Sequence, residues 1–234
     1  MKVEVWSDYQ CPFCYIGKRR FEKALTQFPH RDQVEVVFKS FELDPQAERD
    51  VKMSQDEMLM KKYNMTAQQV KDSNDNLTAQ AKAEGLDYHL ERTILTNTFD
   101  AHRFMHFAAT KGKEKEVNER LFLAYFTEGK HIGDHQTLAA LAAEVGLDQA
   151  EVAEMLAGNQ FTAEVRTDEQ EGSLLGVRGV PFFVINRKYG ISGAQPTEVF
   201  LDTLQKVWTE EYPLQMVNES TDANACSDGS CNIE

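Results

Sequence analysis

Two cysteines separated by two residues, Cys11-Pro12-Phe13-Cys14, follow almost directly on the apolar run Val3-Glu4-Val5-Trp6 and lead into a helix-like stretch. That spacing and placement point to redox chemistry. Cysteines three apart at the first turn of a helix set one sulfur against unpaired backbone N–H groups and the positive end of the helix dipole, which stabilises a thiolate. Cys11 is then the nucleophile, and Cys14, one turn further in, can close a disulfide with it and release whatever Cys11 has captured. Pro12 fits this placement, because the first helical turn tolerates a residue without an N–H.

Four other groups of residues could carry chemistry. A second cysteine pair, Cys226 and Cys231, lies in residues 211–234, which carry five acidic residues and no Lys or Arg. This composition predicts a flexible acidic tail. The roughly 14 residues between Tyr212 and Cys226 span about 20 Å as a random coil, so Cys226 and Cys231 are candidates for a redox relay to Cys11. The pairs His102/His106 and His131/His135 have a spacing that can hold a metal, but no carboxylate accompanies them at motif spacing, and no metal site is expected. Lys39 and Glu42 are candidates to relay the Cys14 proton, although solvated charges at a strand end are the commoner outcome.

The elements that must position the first pair are legible. Residues 3–6 predict a strand, residues up to about 27 a helix stopped by Pro29, and residues 34–43, rich in β-branched and aromatic side chains, a second strand ending at Asp44-Pro45. Strand, helix, strand with a crossover predicts a parallel pair with the cysteines at the carboxyl end of the first strand, where open α/β sheets place their sites. From about residue 53 to 175 helical periodicity recurs, in stretches 55–63, 67–83, 97–110, 114–127, 135–144, 148–156 and 162–174. Phe104, Met105, Phe107, Leu121, Phe122 and Phe126 are expected in the core, with some available to line an apolar groove. Strand character returns at 181–186 and 191–193, and Pro196 opens a last helix over 197–208.

Composition narrows the classes. With 234 residues and 41% hydrophobic side chains the chain can bury a full core. A net charge of −13 argues against a nucleic-acid partner. No apolar run approaches the ~20 residues of a membrane span, and no basic segment with a signal-like apolar stretch opens the chain, so no membrane association and a cytoplasmic location are expected.

The ordered set of Cys11-Pro12-Phe13-Cys14, Asn97-Thr98 with Ala101-His102-Arg103, Phe126-Thr127 ahead of Ile132-Gly133-Asp134, and Gly179-Val180-Pro181 resembles the DsbA family of the thioredoxin superfamily, in its FrnE-like branch. The likeness extends from about Val3 to Trp208. It implies an α/β thioredoxin fold with a large all-helical insertion between the second and third strands. The thioredoxin-fold domain is then expected at 1–50 and 176–210, the insertion at 51–175 and the tail at 211–234. The resemblance further implies that Pro181 is cis and packs beside the cysteines, with Val180 offering its backbone to an extended substrate. A tertiary amide there leaves no N–H to compete for the thiolate and keeps a strand edge open for β-augmentation. Pro12, Phe13 and Val180 are the expected substrate-binding positions, with His102 facing the cleft.

The expected function is thiol–disulfide exchange on a disulfide-containing protein or small molecule, through a mixed disulfide. No cofactor beyond the redox-active disulfide is expected, with glutathione able to serve as co-substrate; the sequence leaves oligomeric state open. Two other classes compete. A glutathione-dependent isomerase or kappa-class-like glutathione transferase acting on a small aromatic molecule shares this arrangement but typically lacks a resolving cysteine, so Cys14 discriminates. A zinc-binding or holdase chaperone module is weaker, since Pro12 removes an N–H that a zinc knuckle uses and a chain this long needs no metal staple.

Overall fold

The computed structural model describes residues 1–213. Cys226 and Cys231 lie outside the described residues. The elements run β1 (Lys2–Ser7), α1 (Pro12–Gln27), β2 (Glu35–Ser40), seven helices α2 (Gln55–Tyr63), α3 (Ala67–Ala83), α4 (Phe99–Thr110), α5 (Glu114–Phe126), α6 (His135–Glu144), α7 (Gln149–Ala157) and α8 (Thr162–Leu174), then β3 (Phe182–Ile185), β4 (Tyr189–Ser192) and α9 (Thr197–Glu211). This is a thioredoxin fold carrying an all-helical insertion between its second and third strands. Short 3-10 turns at Arg31–Gln33 and Leu90–Arg92 were not expected from the sequence.

The four strands lie in the order β2-β1-β3-β4, with β1 parallel to β2 and antiparallel to β3. Alternation of side chains gives the sheet two occupied faces. Val3 and Val5 belong to the large core with Phe183 and Ile185, where Phe21 of α1, Phe183 and Phe200 of α9 meet with ring centroids 4.7–5.7 Å apart. On the other face Trp6 packs with Val177 and Val184 and donates its indole N–H to the Asp168 carbonyl of α8 at 2.8 Å. Gly172 of α8 is what permits this approach, since a Cβ there would lie 2.7 Å from Trp6 Nε1. Glu4, on the same face and buried, is clamped by two hydrogen bonds from the Arg187 guanidinium at 2.7 and 2.8 Å.

The second strand ends sooner than its composition suggests. Phe41 N–H still donates to the Ser7 carbonyl at 3.2 Å, but Leu43 N–H donates to the Asp8 carboxylate at 2.7 Å, which draws the chain out of the sheet after Ser40. On the outer side of β2 the N–H groups of Phe38 and Ser40 each donate to a carboxylate, Glu114 and Asp168, both at 2.9 Å.

The insertion is unevenly packed. Helices α4 and α5 bury Phe104, Met105, Phe107, Leu121, Phe122 and Phe126 as expected for core. Helix α2 buries no residue, although Ser54 and Glu57 close a capping box at its start. It stands against α3 and the turn at Leu90–Arg92.

Candidate active site

Helix α1 begins without a side-chain cap, with Cys11 in the N-cap position at φ −84°, ψ 109° and Pro12 first in the helix. The Cys11 N–H donates to the Asp8 carbonyl and the Cys14 N–H to the Cys11 carbonyl, both at 3.0 Å, so the turn is closed by main-chain bonds. Both cysteines are unbridged thiols, 5% and 2% exposed. Phe13 between them is exposed.

The Val180-Pro181 bond is cis. It brings the Val180 carbonyl within 3.4 Å of Cys11 Sγ, which donates to it. Pro181 sits over the second turn of α1, where a Cβ on Gly17 would lie 3.0 Å from its Cγ, and its carbonyl accepts from Gly193 N–H at 2.8 Å. Gly17 thus clears the space in which the proline meets the cysteine helix. Cys11, Cys14, Val180 and Pro181, separated by about 170 residues of sequence, converge on one point.

The two thiols differ in their surroundings. Burial pushes the Cys14 thiol well up, and the hydrogen bond and charge of Cys11 push it further, against the pull of the Ser7 hydroxyl and the Asp8 N–H. Cys14 therefore holds its proton tightly.

Several side chains frame the pair that sequence reasoning did not single out. Tyr88, buried between Tyr15 and Phe126, donates its hydroxyl to the Pro12 carbonyl at 2.7 Å. Asp8, one turn ahead of Cys11, holds Gln10 N–H at 3.4 Å and Leu43 N–H at 2.7 Å. Their signal lay in tertiary contact alone; Tyr88 is 76 residues from its partner. A cavity of about 420 Å³ opens beside the pair, lined by Asp8, Gln10, Pro12 and Phe13 on one side and by Met58 and Leu77 of α2 and α3 on the other.

Other expected positions fall elsewhere. His102 does not face the cleft: it is 1% exposed and lies behind Asp8, with Nε2 3.7 Å from the carboxylate. Lys39 and Glu42 are neither solvated nor directed at Cys14. Lys39 pairs with Asp168 at 2.7 Å and Glu171 at 3.2 Å, and the buried Glu42 carboxylate is held by Arg166 and Asn97. Burial raises the Glu42 carboxyl above its ordinary value against the attraction of Arg166. The histidines separate as well, His106 to Asp168 at 3.0 Å and His135 to Asp100 at 2.7 Å. Among the described residues no group of three or more His, Cys, Asp or Glu side chains is placed to hold a metal ion, and no helix is long and apolar enough to cross a membrane.

The profile of the DSBA-like thioredoxin domain matches residues 2–205. A Bacillus subtilis protein described as uncharacterized, YwbO, is 32% identical over 206 residues, covering 85% of this chain and 92% of its own. The crystal structure of a probable DsbA oxidoreductase from Streptomyces coelicolor superposes with a TM-score of 0.88 at 45% identity, covering 100% of this chain and 99% of that one. A 2-hydroxychromene-2-carboxylate isomerase shares the fold at a TM-score of 0.68 and 14% identity, over 90% and 98% of the two chains. The sheet, the helical insertion and a match that runs through both the cysteine pair and the cis-proline segment agree: the chain belongs to the DSBA-like thioredoxin-domain family of thiol–disulfide oxidoreductases.

Proposed function

We propose that the protein exchanges disulfides through Cys11, which attacks a substrate disulfide, and Cys14, which resolves the mixed disulfide. One observation carries the reading: the sulfur at the start of α1 touches the carbonyl of the residue before a cis proline, 3.4 Å away, with a second thiol one turn behind it. Such an arrangement lets a substrate backbone lie along the Val180 edge while its sulfur meets Cys11. Pro12 and Phe13 lie on the cavity side of the same sulfur and would contact what flanks the disulfide. The substrate is a disulfide-containing protein or small molecule, with glutathione able to act as co-substrate, and the expected setting is the cytoplasm.

The relay assigned to Cys226 and Cys231 belongs to the same proposal. Helix α9 ends where Trp208 stacks on His30 and packs on Phe28, at the C-terminal end of α1. The 16 residues of α1 measure about 24 Å from there to the cysteine end. The chain from Pro213 to Cys226 reaches roughly 45 Å when extended, so its length permits the contact.

Insulin-disulfide reduction tests the core of this reading. Cys11→Ser is expected to abolish it, and Cys14→Ser to accumulate mixed disulfides; equal activity in wild type and both variants would overturn it. The glutathione-dependent isomerase reading, supported by the shared fold of the isomerase and by the cavity beside Cys11, predicts instead that Cys14→Ser turns over normally on a small aromatic substrate.

A further inference from the structure

We infer that the cavity beside Cys11 seats an aliphatic or aromatic side chain next to the reacting cysteine of a polypeptide substrate, and that Met53, Met58 and Leu59, on and just before α2, set this preference. The inference rests on the exchange chemistry proposed above and narrows its substrate.

Helix α2 has the pattern of a packed helix and none of its burial. Positions 55, 58, 59, 62 and 63 follow the i, i+3, i+4, i+7, i+8 spacing of one helix face, the face that a surface helix normally turns to a core. Here all five positions line the cavity, and no residue of α2 is buried. The same wall is rich in one side chain. Of the eight methionines in the chain, Met53, Met58, Met60 and Met65 fall on α2 or within two residues of its ends. All four are half-buried, and Met53 and Met58 line the cavity. An unbranched thioether repacks around guests of different shape, which suits a site that must take more than one apolar group. Phe13, Leu43 and Tyr63 are 44%, 46% and 59% exposed, and all three border the same space. Apolar surface gathered around a cleft marks a binding site.

The polar groups of the lining are committed to the protein itself. The Gln10 amide donates to the Thr96 carbonyl, the Thr96 hydroxyl to the Arg49 carbonyl at 2.7 Å and the Asn74 amide to the Asp56 carboxylate at 2.9 Å, while Gln55 accepts from the Thr93 hydroxyl. The ionisable side chains on the lining are two carboxyls, Asp8 and Asp44, against the single ammonium of Lys62. A peptidic anion such as glutathione is poorly matched to that set and becomes a slow partner. What carries the apolar group follows from the other side of the sulfur, where the Val180 carbonyl lies 3.4 Å from Cys11 Sγ. A main-chain edge on one side and a side-chain pocket on the other suit an extended peptide, whose backbone bonds supply affinity and whose side chains supply specificity. A small apolar molecule would use the pocket alone.

Single-turnover capture by the pre-reduced full-length protein is timed on disulfide-linked peptides identical except beside the cysteine, where they carry leucine, phenylalanine, glycine or aspartate. The leucine and phenylalanine peptides are expected to react about tenfold faster or more than the glycine peptide, and the aspartate peptide and oxidised glutathione more slowly than it. In the double variant Met58→Gln, Leu59→Gln the leucine-to-glycine ratio should fall toward one. Equal rates across the wild-type set, an unchanged ratio in the variant, or faster capture of glutathione or a small aromatic disulfide than of any peptide would overturn the assignment. Should the variant fail to fold, methyl-labelled methionine in Cys14→Ser protein cross-linked to the leucine peptide decides. NMR shifts at Met53 and Met58, with the buried Met105 and Met155 unmoved, support the site, and unmoved Met53 and Met58 refute it. A wild type that captures no disulfide at all overturns the exchange reading itself.

Discussion

The two ends of the sheet's pairing treat their hydrogen-bonding groups in opposite ways. Along β2 the outward N–H groups of Phe38 and Ser40 are closed off by the Glu114 and Asp168 carboxylates. At the head of β3, the hydrogen bond to Val180 among the described residues comes from the Cys11 thiol, and Pro181 has no N–H to offer. An open strand edge invites pairing with another chain. The protein blocks it with charge along β2 and leaves it beside the Cys11 sulfur ahead of β3, where the exchange reading would seat a substrate backbone.

Breaking the closed edge should cost the most. Asp168 is buried and gathers Ser40 N–H, Lys39 and His106, so Asp168→Ala strips the carboxylate from Ser40 N–H and His106 and leaves Lys39 with Glu171 alone, and is expected to destabilise the fold by about 3–5 kcal/mol, read as a lower urea midpoint. Its pH signature has a definite sign. Burial alone would raise the Asp168 carboxyl, but the hydrogen bonds from His106, Lys39 and Ser40 outweigh it and hold it below the ordinary 3.8. The folded value is depressed, so its stabilisation is present above the unfolded value and lost as pH falls through the folded one. Denaturation curves of Asp168→Asn should accordingly lose wild-type steepness below about pH 4.

Crowding the open end should be milder for the fold and harsher for chemistry. Gly17→Val places a side chain against Pro181 and Ala194; a stability loss of about 1–3 kcal/mol is expected, together with a larger fall in kcat/KM for disulfide reduction than Asp168→Asn produces per folded molecule. Removing only the other blocking carboxylate, Glu114→Ala, should shift stability by about 1 kcal/mol, because it frees a single N–H. Phe13→Ser, at an exposed side chain beside Cys11, should stay within about 0.5 kcal/mol in thermal unfolding while altering KM for protein disulfides.

What the sequence could carry was whatever local pattern determines. The cysteine pair at a strand-to-helix turn, the seven helices of the insertion and the Val180-Pro181 entry to a hairpin all follow from spacing and turn chemistry, and the structure has these elements in that order. What it could not carry were contacts from far along the chain. Lys39 and Glu42 read as strand-end charges because their partners, Asp168 and Arg166, are 129 and 124 residues away. His102 read as facing the cleft because nothing local reveals that Asp8 stands in front of it. The second strand read three residues too far at its carboxyl end because Asp8 captures Leu43 N–H, and the last helix runs to Glu211 rather than Trp208 because Glu210 and Glu211 bond the hairpin at Lys188 and Asn186.

Helix α2 forms one wall of the cavity beside Cys11 yet buries none of its nine residues. Segments with so few interior contacts open at a fraction of the global unfolding free energy. Amide exchange along that helix should therefore outrun exchange in β1. The wall beside Cys11 is then the least anchored part of the cavity, while the sulfur and its proline are tied to the sheet.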